Sequence, residues 1–179
     1  MTEKKLDCVI LGLLSHEDLT GYEIKHRMDT ALSFFWGASY GSIYPTLGTL
    51  VKDGLAEKHT DDGSSRGRII YSITDAGREH LKKWLSDTSN RDEIRYETLL
   101  KLFFGSAAGE ETTAGHIRTF RDAAEENIAK LLIAEENLKN SPDDDDHRYY
   151  LMTVRFGLKT YRAYTEYCDE LLGDMVSQK

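Results

Sequence analysis

Proline occurs only at Pro45 and Pro142 in the 179 residues of this chain. Proline lacks a backbone N–H and collides with the preceding helical turn, so its scarcity leaves nearly the whole sequence open to long helices. The apolar spacing uses that freedom. Leu6, Val9, Ile10, Leu13 and Leu14 recur at three-to-four spacing and predict a first helix ending near Ser15. Thr20-Gly-Tyr-Glu23 carries a capping-box pattern, in which Thr20 accepts from the N–H of residue 23 and Glu23 reaches back to the cap. A second helix is therefore expected from Gly21 to about residue 35, with Ile24, Met28 and Leu32 inward and Lys25, His26 and Arg27 outward.

The segment from Tyr40 to Gly54 predicts a third helix. A cap at Ser42 would put Pro45 in the first turn, where backbone donors lack intrahelical partners and a missing N–H costs little. Ile43, Leu47, Leu50 and Val51 form one buried stripe, and Gly54 supplies a left-handed stop with Leu55 beyond it. The outer face is then Tyr44, Thr46, Gly48, Thr49 and Lys52. Two short strands follow, Leu55 to Thr60 and Arg68 to Thr74, joined by a turn-rich tip from Asp61 to Gly67. Thr74 caps a further helix expected to bury Leu81, Trp84 and Leu85. The expected fold class is mainly α with a small two-stranded β wing.

After Asp87 the pattern is wholly helical, with helices expected from about Glu93 to Phe104, from Glu110 to about Asn140, and from about Asp146 to Met175. Pro142 and the acidic run after it separate the last two. Along the final helix Tyr150, Val154, Leu158, Tyr161, Thr165, Cys168, Leu172 and Met175 repeat as in a coiled-coil seam. Its apolar face extends to Tyr149, Phe156 and Tyr167, broad enough to serve both its own domain and a second subunit. A homodimer is the expectation. The division expected is residues 1–88 for one domain and 89–179 for an α-helical dimerisation domain. Trp36, Trp84, Tyr96, Phe103 and Tyr150 fall near the junction of these halves, where they could line an aromatic effector site or be ordinary core.

Several chemistries are excluded. Cys8 and Cys168 stand far apart without neighbouring cysteines, and no two of the six histidines lie four residues apart, so neither a disulfide framework nor a metal site is expected. Gly63-Ser-Ser-Arg-Gly67 has the spacing of a hydrolase nucleophile elbow but lies between two hairpin strands rather than between a strand and a helix. The run Asp143 to Asp146 lacks the glycine and the glutamate a calcium loop requires. No catalytic residue, enzyme activity or cofactor is expected. No stretch approaches the ~18 apolar residues of a spanning helix, and the N-terminal apolar run lacks a cleavage site, so the expected compartment is the cytoplasm, with no membrane partner.

What remains is recognition. The third helix exposes hydroxyls and one lysine where a structural helix would favour paired charges, a face suited to base edges and phosphates in a major groove. Arg66 and Arg68 flank the hairpin tip as phosphate or minor-groove contacts. Acidic residues outnumber basic ones, 31 to 23, but most of the excess lies beyond residue 86.

Six segments resemble the PadR family of bacterial transcriptional regulators: Ile10-Leu-Gly-Leu-Leu14, Thr20-Gly-Tyr-Glu-Ile24, Phe35-Trp36, Gly41-Ser-Ile-Tyr-Pro45 with Leu47 and Leu50, Asp53-Gly-Leu55, and Arg68 with Tyr71 through Gly77. The resemblance implies an N-terminal winged helix-turn-helix and a C-terminal helical half that forms the dimer. It also implies a repressor that binds a palindromic double-stranded DNA operator and is released by a small molecule, a phenolic acid or other aromatic compound among the possibilities. By motif, Tyr40, Ser42, Tyr44 and Pro45 start the recognition helix, Tyr22 and Lys25 lie on the helix before it, and Arg66 and Arg68 lie on the wing. Asp61 and Asp62 make this wing tip more acidic than in some members. The other reading is a winged-helix dimer that binds a protein partner without operator DNA.

Overall fold

The computed structural model describes residues 3–36, 40–61, 68–89, 95–141 and 146–177. Two compact units divide the chain, residues 1–92 and residues 93–179. In the first, α1 (Glu3–Leu14) leads to β1 (Leu19–Thr20) and α2 (Gly21–Arg27), which continues as a π-helical turn over Met28–Leu32. Then come α3 (Tyr40–Lys52), β2 (Ala56–Asp61), β3 (Arg68–Ile73) and α4 (Asp75–Leu85).

One core holds this unit together. Ile10, Leu11, Ile24, Met28, Ile43 and Leu47 are completely shielded, with Leu14, Leu19, Leu50, Ala56 and Tyr71 packed among them. Apolar surface removed from water contributes about 25 cal/mol per Å², so these stripes, and not helix propensity, fix the angles of α1, α2 and α3. The capping box forms as expected: Thr20 Oγ1 accepts from the Glu23 N–H at 3.2 Å, and the Thr20 N–H donates to Glu23 Oε2 at 2.8 Å.

Four expectations need correction. The sheet has three antiparallel strands in the order β1-β3-β2, with Leu19 opposite Tyr71 and Thr20 opposite Ile70. The added strand, β1, is two residues long, too short to show alternation. Helix α3 starts at Tyr40, before the expected cap at Ser42, so Pro45 lies in its second turn and denies the Gly41 carbonyl its usual donor. Trp84 and Leu85 are exposed, because only Leu81 of that group packs against the core. The second helix, expected to run to about residue 35, ends with the π-helical turn at Leu32.

The second unit holds α5 (Glu97–Phe103), α6 (Gly105–Ala108), α7 (Glu110–Asn140) and α8 (His147–Ser177). The start expected near Glu93 lies outside the described residues, and a break at Phe104 separates α5 from α6. Helices α7 and α8 form a long hairpin, closed by Ala114, Ile117, Ala124 and Leu131 on one helix and Val154, Gly157, Leu158 and Cys168 on the other. Arg121 pairs with Asp169 across it, and Arg155 Nε reaches Glu135 Oε1 at 3.3 Å. The inner part of the expected seam, Val154, Leu158 and Cys168, is therefore already buried within one chain, because 31-residue α7 supplies the partner that so long a helix needs. Among the described residues, no helix is long and apolar enough to cross a membrane.

Candidate nucleic-acid interface

Helix α3 buries Ile43, Leu47 and Leu50 and turns its other side outward. Tyr44 is half exposed, Gly48, Thr49 and Lys52 are exposed, and Ser42 and Thr46 are partly so. The Thr46 and Thr49 hydroxyls donate to the Ser42 and Pro45 carbonyls at 2.7 and 3.1 Å, which fixes both rotamers. Their oxygens keep lone pairs and their methyl groups stay available for apolar contact.

Helix α2 brings Tyr22, exposed and lying parallel to the His26 ring with centroids 6.4 Å apart. Lys25 is ion-paired with Asp29 one turn on. From the sheet comes Arg68, whose Nη2 donates to Glu23 Oε1 at 2.9 Å. Glu23 thus closes the α2 cap and ties the outer end of β3 to it. The Thr20 backbone N–H, the Thr20 hydroxyl and the Arg68 guanidinium hold its carboxyl below the usual range.

These elements frame an open cleft of about 550 Å³ lined by Thr20, Gly21, Tyr22, Tyr44, Arg68, Ile69 and Tyr71. Burial, and then the nearby Tyr44, push the Tyr71 hydroxyl above its ordinary value. Of the residues expected here from sequence, Tyr22, Tyr44 and Arg68 share the cleft, while Thr46, Thr49 and Lys52 continue along α3. Arg66 and the Tyr40 side chain lie outside what is described. Glu23 and Tyr71 join the site without having been expected there. Glu23 was visible as a cap residue, but its bond to Arg68 spans 45 positions and leaves no local signal.

The residues expected at an effector site are divided between the two units. Trp36 packs against the core of the first unit, whereas Trp84 is exposed on α4. In the second unit Tyr96 meets the Tyr164 hydroxyl and lies edge-on to Phe120 at 6.3 Å, with Tyr161 edge-on to Tyr164 at 5.7 Å. Phe103 is exposed beside Phe104, and Tyr150 is exposed on α8. Of the seam residues, Tyr161, Leu172 and Met175 are half-buried.

Three helices with a hairpin beside the third define a winged helix-turn-helix protein. Residues 10–83 match the family model described as the transcriptional regulator PadR-like family, and residues 94–175 match that of the virulence activator alpha C-terminal region. The chain is 31% identical over 128 residues to the negative transcriptional regulator PadR of Bacillus subtilis, covering 70% of this chain and 69% of that protein. It belongs to the PadR-like family of transcriptional regulators. Among solved structures, the PadR-like regulator BC1756 of Bacillus cereus is similar with a TM-score of 0.83 at 26% identity, covering 97% of this chain and 99% of that one. Bacillus subtilis PadR in complex with operator DNA is similar with a TM-score of 0.81 at 25% identity, covering 95% and 98%.

Proposed function

We propose that the chain is a cytoplasmic repressor that binds a palindromic double-stranded operator as a homodimer and is released by a small aromatic effector such as a phenolic acid. The observation that carries this is the hydroxyl-rich outer face of α3, which shares one cleft with Arg68 at the outer end of the wing's strands. Tyr44, Thr46, Thr49 and Lys52 meet the major groove, with Tyr40, Ser42 and Pro45 at the entering end of the helix. Tyr22, Lys25, Arg66 and Arg68 hold flanking phosphates or the minor groove. The solved operator complex of Bacillus subtilis PadR supports this reading.

Residues 1–88 are assigned to DNA binding and 89–179 to dimerisation. Tyr149, Met152, Phe156 and Tyr167, spaced by three, four and eleven residues, are exposed on one face of α8, an apolar stripe that one chain leaves uncovered. Of the rest of the seam, Val154, Leu158 and Cys168 are buried within the hairpin, and Tyr150, Tyr161, Leu172 and Met175 flank the stripe. The aromatic group of Tyr96, Phe120, Tyr161 and Tyr164 offers flat apolar walls with hydroxyl tips, suited to a phenolic ligand. Such a ligand releases DNA only by preferring the DNA-free conformation.

The test is a gel-retardation assay on the inverted repeat upstream of the chain's own gene, against a scrambled duplex. The wild type retards the repeat as a two-protomer complex, Tyr44→Ala with Arg68→Ala abolishes the preference, and Phe156→Glu removes the two-protomer band. Equal retardation by wild type and the double variant would place DNA binding elsewhere.

A further inference from the structure

Gly21 and Gly77 are both buried, and an added methyl group meets different obstacles at the two. A Cβ on Gly77 would lie 2.1 Å from the Leu55 carbonyl oxygen, which is backbone and cannot yield. On Gly21 it would lie 2.6 Å from Tyr44 Cε1 and 2.9 Å from Cζ, atoms at the far end of a side chain that is half exposed. Gly21 has no positive φ and opens α2, so its backbone does not require glycine. The bare Cα instead lets the phenol end of the Tyr44 ring come close against the first turn of α2.

We infer that Gly21 is a positioning residue for DNA reading, setting the direction in which Tyr44 leaves α3. This rests on the proposed DNA-binding role and deepens it, because it explains a glycine in a helix that would otherwise favour alanine. With a methyl group in place the ring must turn about its Cα–Cβ bond into the cleft it shares with Tyr22 and Arg68. The fold keeps its core, but the ring no longer reaches a base edge. Phosphate contacts, which carry non-specific binding, are left in place.

The experiment uses a duplex selected by the wild-type chain from a randomised pool, with a scrambled duplex of equal composition as reference. Gly21→Ala is expected to weaken binding to the selected duplex by about five- to tenfold, the size of one base-edge interaction, while leaving the scrambled duplex and the thermal midpoint near wild type. In a Tyr44→Ala background the same change should have no further effect on affinity, whereas a general disturbance of α2 would weaken both backgrounds alike. Wild-type affinity in Gly21→Ala, or an equal loss with Tyr44 absent, overturns the inference while leaving the DNA-binding role standing. An unfolded single variant whose double variant folds also overturns it, since the ring would then be clamped and not free to turn. A wild-type chain that selects no duplex overturns the DNA-binding role itself, and the inference with it.

Discussion

Cys8 shows how burial sets chemistry at a single side chain. Only 3% of it is exposed, and burial, followed by the charge and hydrogen bond of Asp7, pushes its thiol up to about 12. An ordinary thiol near 9 loses its proton in the unfolded chain while the folded chain still holds it. Between those two values the unfolded state binds fewer protons, so stability falls as pH rises. Denaturant unfolding from pH 9 upward should show wild type losing stability faster than Cys8→Ser, with the difference in slope approaching about 1.4 kcal/mol per pH unit. Parallel curves would mean that the thiol is not held protonated by the fold. Asp7 also stands 3.7 Å from His80 Nε2, linking α1 to α4 at the same place.

At the scale of the element, the end of α3 is the clearest case of sequence dictating geometry. Gly54 takes φ 72°, its N–H donates to the Val51 carbonyl at 3.2 Å, and the Leu55 N–H donates to the Leu50 carbonyl at 2.9 Å. That pair of bonds is a Schellman stop, and the Thr74 hydroxyl donates to the Gly54 carbonyl at 2.7 Å while accepting from the Gly77 N–H at 3.0 Å. Gly54→Ala forces a side chain into the left-handed region and should cost about 1 kcal/mol in urea unfolding with the slope unchanged. No loss would mean that α3 ends by another route. Such stops and caps could be read from sequence because they are made by neighbours within a few positions, as Thr20 with Glu23 and Gly54 with Leu55. Strand β1 and the Glu23–Arg68 bond could not, since each joins segments brought together only by the core. Pro45 misled for a related reason. Its cost at the second turn is met by tertiary burial of Ile43 and Leu47 on either side, which no local rule weighs.

For the whole molecule, the formal net charge of −8 opposes approach to DNA, so affinity must come from a few cations placed where a phosphate can meet them. On the proposed reading, Lys52 at the last turn of α3 and Arg68 at the outer end of the wing's strands are two such groups, with Arg68 exchanging Glu23 for phosphate. The most direct measurement of that claim is the dependence of affinity on salt for the selected duplex, followed by fluorescence anisotropy for wild type, Lys52→Ala and Arg68→Ala. Each substitution is predicted to flatten the log–log slope by about 0.9, the value for a single neutralised phosphate. Slopes unchanged in both variants would contradict DNA recognition through α3 and the wing.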